Sequence, residues 1–253
     1  PFALMVRDLA MARAIVELDE GAGAALSSVA APIVIAPCAR GASVAAGVAP
    51  GLRSLGVMLP STPLHLLLME GLGRPVVCTS GNVSDEPTCI EDDDARARLA
   101  AVADAFLLHD RPIARRVDDS VVRPMAGAAR VLRRARGFAP SPLPAPRGFA
   151  DAPSILALGG HLKATFCLLE RGRAVLSPHH GDLDDLSALT SYQDGLALMR
   201  SLFRHAPRVA ACDLHPQYAT SQIALELADD EGMRVIPVQH HHAHVAACMF
   251  EHG

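Results

Sequence analysis

Several absences narrow the reading at once. No stretch of the 253 residues reaches the ~18 to 20 consecutive apolar residues that span a bilayer. The opening Pro1-Phe2-Ala3-Leu4-Met5-Val6-Arg7-Asp8 has no basic start, no sustained apolar run and no cleavage signal. A membrane is therefore not an expected partner, and the cytoplasm is the expected compartment. The six cysteines (Cys38, Cys78, Cys89, Cys167, Cys212, Cys248) are scattered and form no CxxC pair, which fits reduced thiols acting as small apolar residues rather than a disulfide framework. There is no excess of positive charge: the net charge of −4 gives no bulk field for a nucleic-acid backbone or an acidic surface, though local basic patches remain open. The Walker A pattern Gly-x-x-x-x-Gly-Lys-Ser/Thr is missing, so a nucleotide would have to be held in another way. Internal repeats and low-complexity tracts are absent too. The first residue is Pro rather than Met, and the expectation is a piece of a longer enzyme.

What is present suits two ordinary cores, since half of the residues are hydrophobic. Apolar runs bounded by turn residues predict strands at 3–6, 33–35, 56–59, 75–78 and 105–108. Helices are expected after Asp8, with Leu9, Ala12, Ile15 and Val16 on one face, and over 64–72 and 92–103. Prolines crowd residues 140–153 too densely for a central strand or helix, and they read as a semi-rigid linker. We place a first domain at 1–145, the linker at 146–152 and a second domain at 153–253. In the second domain a meander of antiparallel strands is expected at 155–158, 165–169 and 173–176, then helices over 187–203 and 220–229 alternating with strands at 209–212 and 234–238.

Five motifs carry polar chemistry. Thr79-Ser80-Gly81-Asn82-Val83-Ser84 follows a predicted strand and presents hydroxyls and an amide around a glycine, suited to phosphate or carboxylate oxygens, or to a plain polar turn. Arg115 to Arg123, with Arg133, Arg134 and Arg136 beyond it, can grip phosphates bidentately or form a solvated strand pair. Gly159-Gly160-His161-Leu162-Lys163 joins two apolar strands, either as a simple hairpin turn or as a loop bringing backbone amides and an ammonium to a phosphate. Gly181-Asp182-Leu183-Asp184-Asp185 offers carboxylates for magnesium, or a helix cap with an acidic first turn. His240-His241-His242-Ala243-His244 differs in kind: His240 and His244, at i and i+4 of a helix, can reach one cation. Two imidazoles do not complete a coordination shell, and iron, zinc and manganese all suit them.

In their order along the chain, six stretches resemble the HypF carbamoyltransferases of [NiFe]-hydrogenase maturation. They are Cys78 to Pro87, Leu107 to Ile113, Arg116 to Arg123, Leu156 to Lys163, Cys212 to Pro216 and Val238 to His244. The resemblance implies an α/β (α+β) chain, a YrdC-like twisted mixed sheet with helices followed by the first half of a TsaD-like domain of actin/hexokinase type. It implies ATP with Mg2+ as cofactors, a divalent metal (Fe or Zn) in the second domain, and carbamoyl phosphate and ATP as substrates. The first domain would make carbamoyl adenylate, and the second would pass the carbamoyl group to the C-terminal cysteine of the partner HypE for cyanide ligand synthesis.

By position, Ser80, Asn82, Ser120 and Arg136 match the YrdC-like nucleotide site. Gly159, Gly160 and Lys163 fall in the phosphate hairpin of the second fold, and His240 and His244 match its metal pair. No general base is assigned. The resemblance also implies missing parts: an acylphosphatase-like domain, cysteine-rich zinc modules, a basic segment opening the YrdC-like domain, and the second half of the TsaD-like domain with an acidic metal ligand. A metal on this chain alone is accordingly expected to be weakly held or absent. Nucleic acid is not an expected partner, although the YrdC-like fold admits double-stranded RNA. The alternatives are a transferase making threonylcarbamoyladenosine on tRNA, against which the negative charge and His242 weigh, and a noncatalytic nucleotide- or metal-binding fragment.

Overall fold

The first secondary structure grows from capping side chains set against short apolar runs. A computed structural model describes residues 1–83 and 86–252; Ser84 and Asp85 of the first polar motif, and Gly253, lie outside the described residues. Along the chain come β1 (Ala3–Met5), α1 (Leu9–Arg13), α2 (Glu20–Leu26), β2 (Ile33–Pro37), β3 (Ser54–Met58), α3 (Pro63–Leu72), β4 (Val76–Val77) and α4 (Asp92–Leu99). Then follow β5 (Val121–Met125), β6 (Ala128–Arg133), β7 (Leu143–Pro144), β8 (Ile155–Ala157), β9 (Cys167–Glu170) and β10 (Arg173–Leu176). The last elements are α5 (Leu186–Phe203), β11 (Val209–Asp213), α6 (Ala219–Glu231), β12 (Arg234–Val238) and α7 (His240–His252). Asp8 accepts from the Met11 N–H to start α1, Asp19 from Ala22 to start α2, and Thr62 from His65 to start α3. Pro63 fits the first turn of α3, and Gly73, at φ 64°, ends it in the left-handed region.

The chain divides into two compact units, 1–80 with 119–138, and 81–118 with 139–253. Strand pairing explains the return of 119–138: β5 runs parallel to β2, giving the first mixed sheet the order β4-β1-β3-β2-β5-β6. Val34, Val57 and Val122 lie in register on adjacent strands and are fully buried. Each such side chain contributes roughly 1.5 to 3 kcal/mol.

The second sheet has the order β12-β11-β8-β9-β10-β7. β8, β9 and β10 form the expected antiparallel meander, whereas β8, β11 and β12 are parallel, with α5 and α6 as the connections. Its core gathers Leu156, Leu158, Phe166, Leu168, Leu196 and Met199 around Tyr192, whose hydroxyl donates to the Leu158 carbonyl at 2.6 Å. Gly195 of α5 is required here, since a Cβ there would sit 2.7 Å from Cε1 of His180. The His180 imidazole fills that gap, stacked on Phe166 and edge-on to Tyr192. The fold is thus mixed α/β with two mixed sheets, as the resemblance implied. Among the described residues no helix is long and apolar enough to cross a membrane.

Five local expectations change. Residues 105–108 form no strand, and Leu107 is exposed, because no sheet edge meets them. α4 stops at Leu99 rather than 103, and α1 stops at Arg13, after which Val16 bridges to Cys38. α2 was not foreseen, since Gly21 and Gly23 hide its helical pattern. In the proline-rich stretch, β7 pairs with β10 at a sheet edge, the position where proline costs no ladder bond.

Burial, with the charges of His179 and Arg115, pushes the His180 imidazole down to about 4, against the opposing pull of Asp118. Unfolded, it takes a proton below about 6.5; folded, only below about 4. In that window the unfolded chain binds more protons, so stability falls as the pH drops, by on the order of 3 kcal/mol across it. Chemical denaturation at neutral and mildly acid pH is expected to show this loss, and His180→Gln to reduce it. The remainder comes from His205 and His65, which burial pushes the same way. An unchanged pH dependence in the variant counts against this assignment.

Candidate functional site

In open sheets, ligands bind beyond the carboxyl ends of the parallel strands. In the second unit those ends belong to β8, β11 and β12, and they carry the Gly159 hairpin, Asp213 and His240. Asp213 closes β11 with its side chain 5% exposed, and its carboxylate accepts from the His240 ring at Nδ1 and from the His215 backbone N–H at 2.9 Å. Burial alone raises the Asp213 carboxyl, but these bonds outweigh it and hold the group below its ordinary range. A carboxylate only accepts, so His240 carries its proton on Nδ1 and turns the Nε2 lone pair outward. Nε2 of His244, one turn along α7, stands 3.1 Å from that nitrogen.

The pair fits a cation. Two imidazole nitrogens at ~2.0 to 2.1 Å from one ion, at tetrahedral or octahedral angles, stand roughly 2.9 to 3.4 Å apart. Orientation of one ligand by a buried carboxylate is the arrangement that fixes tautomer and basicity in metal sites. Among the described residues no group of three metal-ligating side chains occurs, so His240 and His244 supply part of a shell.

The hairpin meets this pair. Gly159 sits at φ 70°, and a Cβ there would fall 2.2 Å from the Thr165 carbonyl, so only glycine closes the turn. Gly160 lies against His240, with 3.6 Å from a hypothetical Cβ to Cε1. Lys163, the sole lysine of the sequence, is exposed, and its backbone N–H donates to Asp182 at 2.6 Å. The three carboxylates after Gly181 go separate ways: Asp182 to Lys163, Asp184 to His161 at 2.9 Å, and Asp185 to the N-cap of α5. They form a cap and two clamps rather than a shared cation site. His161 also accepts from Ala219 N–H at Nδ1, and its ring stacks on Tyr218, which stacks in turn on His215. Sequence reading singles out the stretches that hold Asp213, His161 and Asp184 but foresees neither the Asp213–His240 bond, nor the His161–Asp184 pair, nor Tyr218; an acid ending an apolar strand was the available signal for Asp213.

In the first unit, Ser120 and Arg136 come together. Ser120 is fully buried, and its hydroxyl accepts from Ala135 N–H at 2.8 Å and donates to the Arg136 carbonyl at 2.9 Å. The Arg136 guanidinium pairs with Asp119 and donates to the Ala31 carbonyl at 3.0 Å. Two further groups feel this pair: burial lowers His65, helped by Arg136 and opposed by Asp119, and burial with Asp119 raises Cys78. Ser80 is exposed at the end of this unit. Asn82 belongs to the other unit, its amide donating to the Val83 carbonyl at 2.9 Å.

Family models match both parts. The Sua5, YciO and YrdC model, described as telomere recombination, matches residues 1–135, and the HypF Kae1-like domain matches 150–251. Carbamoyltransferase HypF of Rhodobacter capsulatus is 50% identical over 251 residues, 99% of this chain and 33% of that protein. The chain belongs to the HypF family. Full-length HypF in a phosphate- and nucleotide-bound crystal form has a TM-score of 0.90 at 43% identity, covering 100% of this chain and 39% of that one. HypF of T. kodakarensis has a TM-score of 0.91 at 32% identity, covering 99% of this chain and 32% of that one. The chain therefore spans about a third of the length of the HypF relatives it matches.

Three variants test the two halves. Asp213→Asn is expected to weaken divalent-metal binding roughly 10- to 100-fold, and His240→Ala to remove it, by calorimetric titration. Equal affinity in Asp213→Asn and wild type would refute the orienting role. Ser120→Ala leaves the Ala135 N–H buried without a partner and is expected to cost about 1 to 3 kcal/mol by denaturant unfolding without ligand; an unchanged midpoint would show the hydroxyl to be dispensable for the fold.

Proposed function

We propose that this chain carries the adenylating and part of the transferring machinery of a carbamoyltransferase of [NiFe]-hydrogenase maturation. The observation that carries the reading is the 50% identity, over nearly the whole chain, with a carbamoyltransferase that joins the same two domain types in the same order. In this reading water cleaves carbamoyl phosphate to carbamate and inorganic phosphate, and the first domain uses the carbamate with ATP and Mg2+. A carbamate oxygen bonds to the α-phosphorus of ATP, and pyrophosphate leaves. The carbamoyl carbon of the adenylate then accepts the terminal cysteine sulfur of HypE, and AMP departs. Adenylation replaces a poor leaving group by a good one, and an anhydride so open to water favours two sites in one polypeptide.

The chain's own groups have defined tasks. Ser80 and Asn82 would donate hydrogen bonds to the nucleotide, and Arg136, held by Asp119, would place a fixed positive charge beside Ser120. In the second domain, Gly159 and Gly160 keep side chains out of the space before His240, and Lys163 contributes an ammonium. Asp213 holds the proton on Nδ1 of His240. A divalent iron or zinc ion held by His240 and His244 would supply Lewis acidity toward phosphate or carbonyl oxygens. The negative net charge favours this reading over a tRNA-directed one.

In the complete enzyme that contains this chain, ATP–pyrophosphate exchange dependent on carbamoyl phosphate is expected to fall by at least about tenfold in Asn82→Ala and in Ser80→Ala, one lost charge-assisted bond each. Exchange at wild-type rate in both variants rules out these nucleotide contacts. Exchange supported by threonine and bicarbonate instead of carbamoyl phosphate transfers the assignment to the tRNA pathway.

A further inference from the structure

Away from the metal pair, Pro87, Thr88, Arg116, Val117, Asp118, His179, His180, Ala188 and Ser191 enclose a cavity of about 40 Å³, all within the second compact unit. At ~10 to 15 Å³ per water this space holds about three waters, the scale of one tetrahedral oxyanion. Its polar lining consists mostly of donors. Arg116 donates through Nε to the Thr88 carbonyl at 2.8 Å, and among the described residues its terminal amino groups have no protein partner. The hydroxyls of Thr88 and Ser191 are likewise without a protein hydrogen bond there. Asp118, the one carboxylate of the wall, accepts from Nδ1 of His179 at 2.7 Å. That commits the Nδ1 proton and leaves Nε2 of His179 as an acceptor for a ligand hydroxyl.

The independent pointer is His180. Its Nε2 is buried and finds no partner, although the ring is fixed between Phe166, Tyr192 and the space left by Gly195. A buried polar nitrogen without a bond is uncommon, and a bound ion or water is a standard reason for one. A cation does not suit the site, because a guanidinium lines it and its carboxylate is taken by His179.

We propose that this cavity binds a phosphate group, with Arg116 supplying the positive charge, Thr88, Ser191 and Nε2 of His180 donating to its oxygens, and Nε2 of His179, the lone-pair nitrogen of that ring, accepting from a phosphate hydroxyl. The shared chemistry admits two sources, free phosphate or the phosphate end of a nucleotide. Neither the carbamoyl-transfer reading nor the metal pair is needed for it.

The test uses the full chain with 15N-labelled histidine, titrated with inorganic phosphate and, separately, with ATP at matched ionic strength. Phosphate is expected to shift the His179 and His180 ring signals saturably. Arg116→Ala is expected to weaken the effect roughly 10- to 100-fold, the loss of a charge-assisted bond. His240→Ala is expected to leave it intact. If only phosphate moves these signals the ligand is the free ion; if ATP moves them and competes, it is the nucleotide's phosphate. Ring signals unmoved by both, or moved with equal affinity in Arg116→Ala, overturn the proposal. Should Arg116→Ala fail to fold, Ser191→Ala takes its place, with weakened phosphate binding expected and unchanged binding decisive against.

Discussion

A buried carboxylate at the end of a central strand is the constraint on which the second half of the molecule turns. Asp213 lies on β11, between β8 and β12, and is almost wholly removed from water. A charge in that position persists only if it is bonded, and its bonds reach in two directions, to the His215 backbone and to the first imidazole of α7. The strand order thereby acquires a chemical result. Parallel register between β11 and β12 puts Asp213 opposite Val238, two residues before His240, and the β8–β9 hairpin closes over the same edge through Gly159. A shift of register by one residue would turn the carboxylate to the other face and leave it unpaired.

The first unit solves a different problem with the same kind of clasp. Its sheet is completed by residues 119–138, which return after a long excursion, and the return is fastened by side chains as well as by the β2–β5 ladder. Ser120 ties two backbone groups across the β5–β6 hairpin, and Asp119 ties Arg136. The polar residues that sequence reading assigns to a nucleotide are therefore also the fastenings of the hairpin. A substitution at Ser120 acts on the hairpin whatever the residue would do for a nucleotide, which is why stability is read without ligand.

Much of this was legible in the residues. Period-two runs and capping side chains located β1 to β3, α3, α5, α6 and the meander, because in those places propensity, burial and turn chemistry agree. Where they disagree the reading failed: 105–108 has strand composition but no edge to join, and α2 hides behind glycines while Asp19 caps it. The His240–His244 spacing was visible because helical geometry alone makes those rings neighbours. The partner of His240 was not, since Asp213 lies 27 residues away and only the parallel pairing of β11 with β12 brings them together. The same holds for Asp118 with His179, 61 residues apart.

Three imidazole–carboxylate pairs in the second unit show how burial grades one interaction into different uses. The carboxylate is 5% exposed in Asp213, 32% in Asp118 and 80% in Asp184. Asp184 is mostly hydrated, so its attraction for His161 is screened and the ring owes its position largely to Tyr218 and the Ala219 N–H. Asp213 has lost its water and keeps His240 beside the His215 backbone N–H in its place, so the bond dictates tautomer and ring direction. Asp118 stands between them, dry enough to hold the His179 proton yet wet enough for the pair to adjust. A rigid metal ligand calls for the first kind of partner and a ring that bonds an exchangeable anion for the intermediate kind, so depth of burial sorts these histidines where residue type cannot.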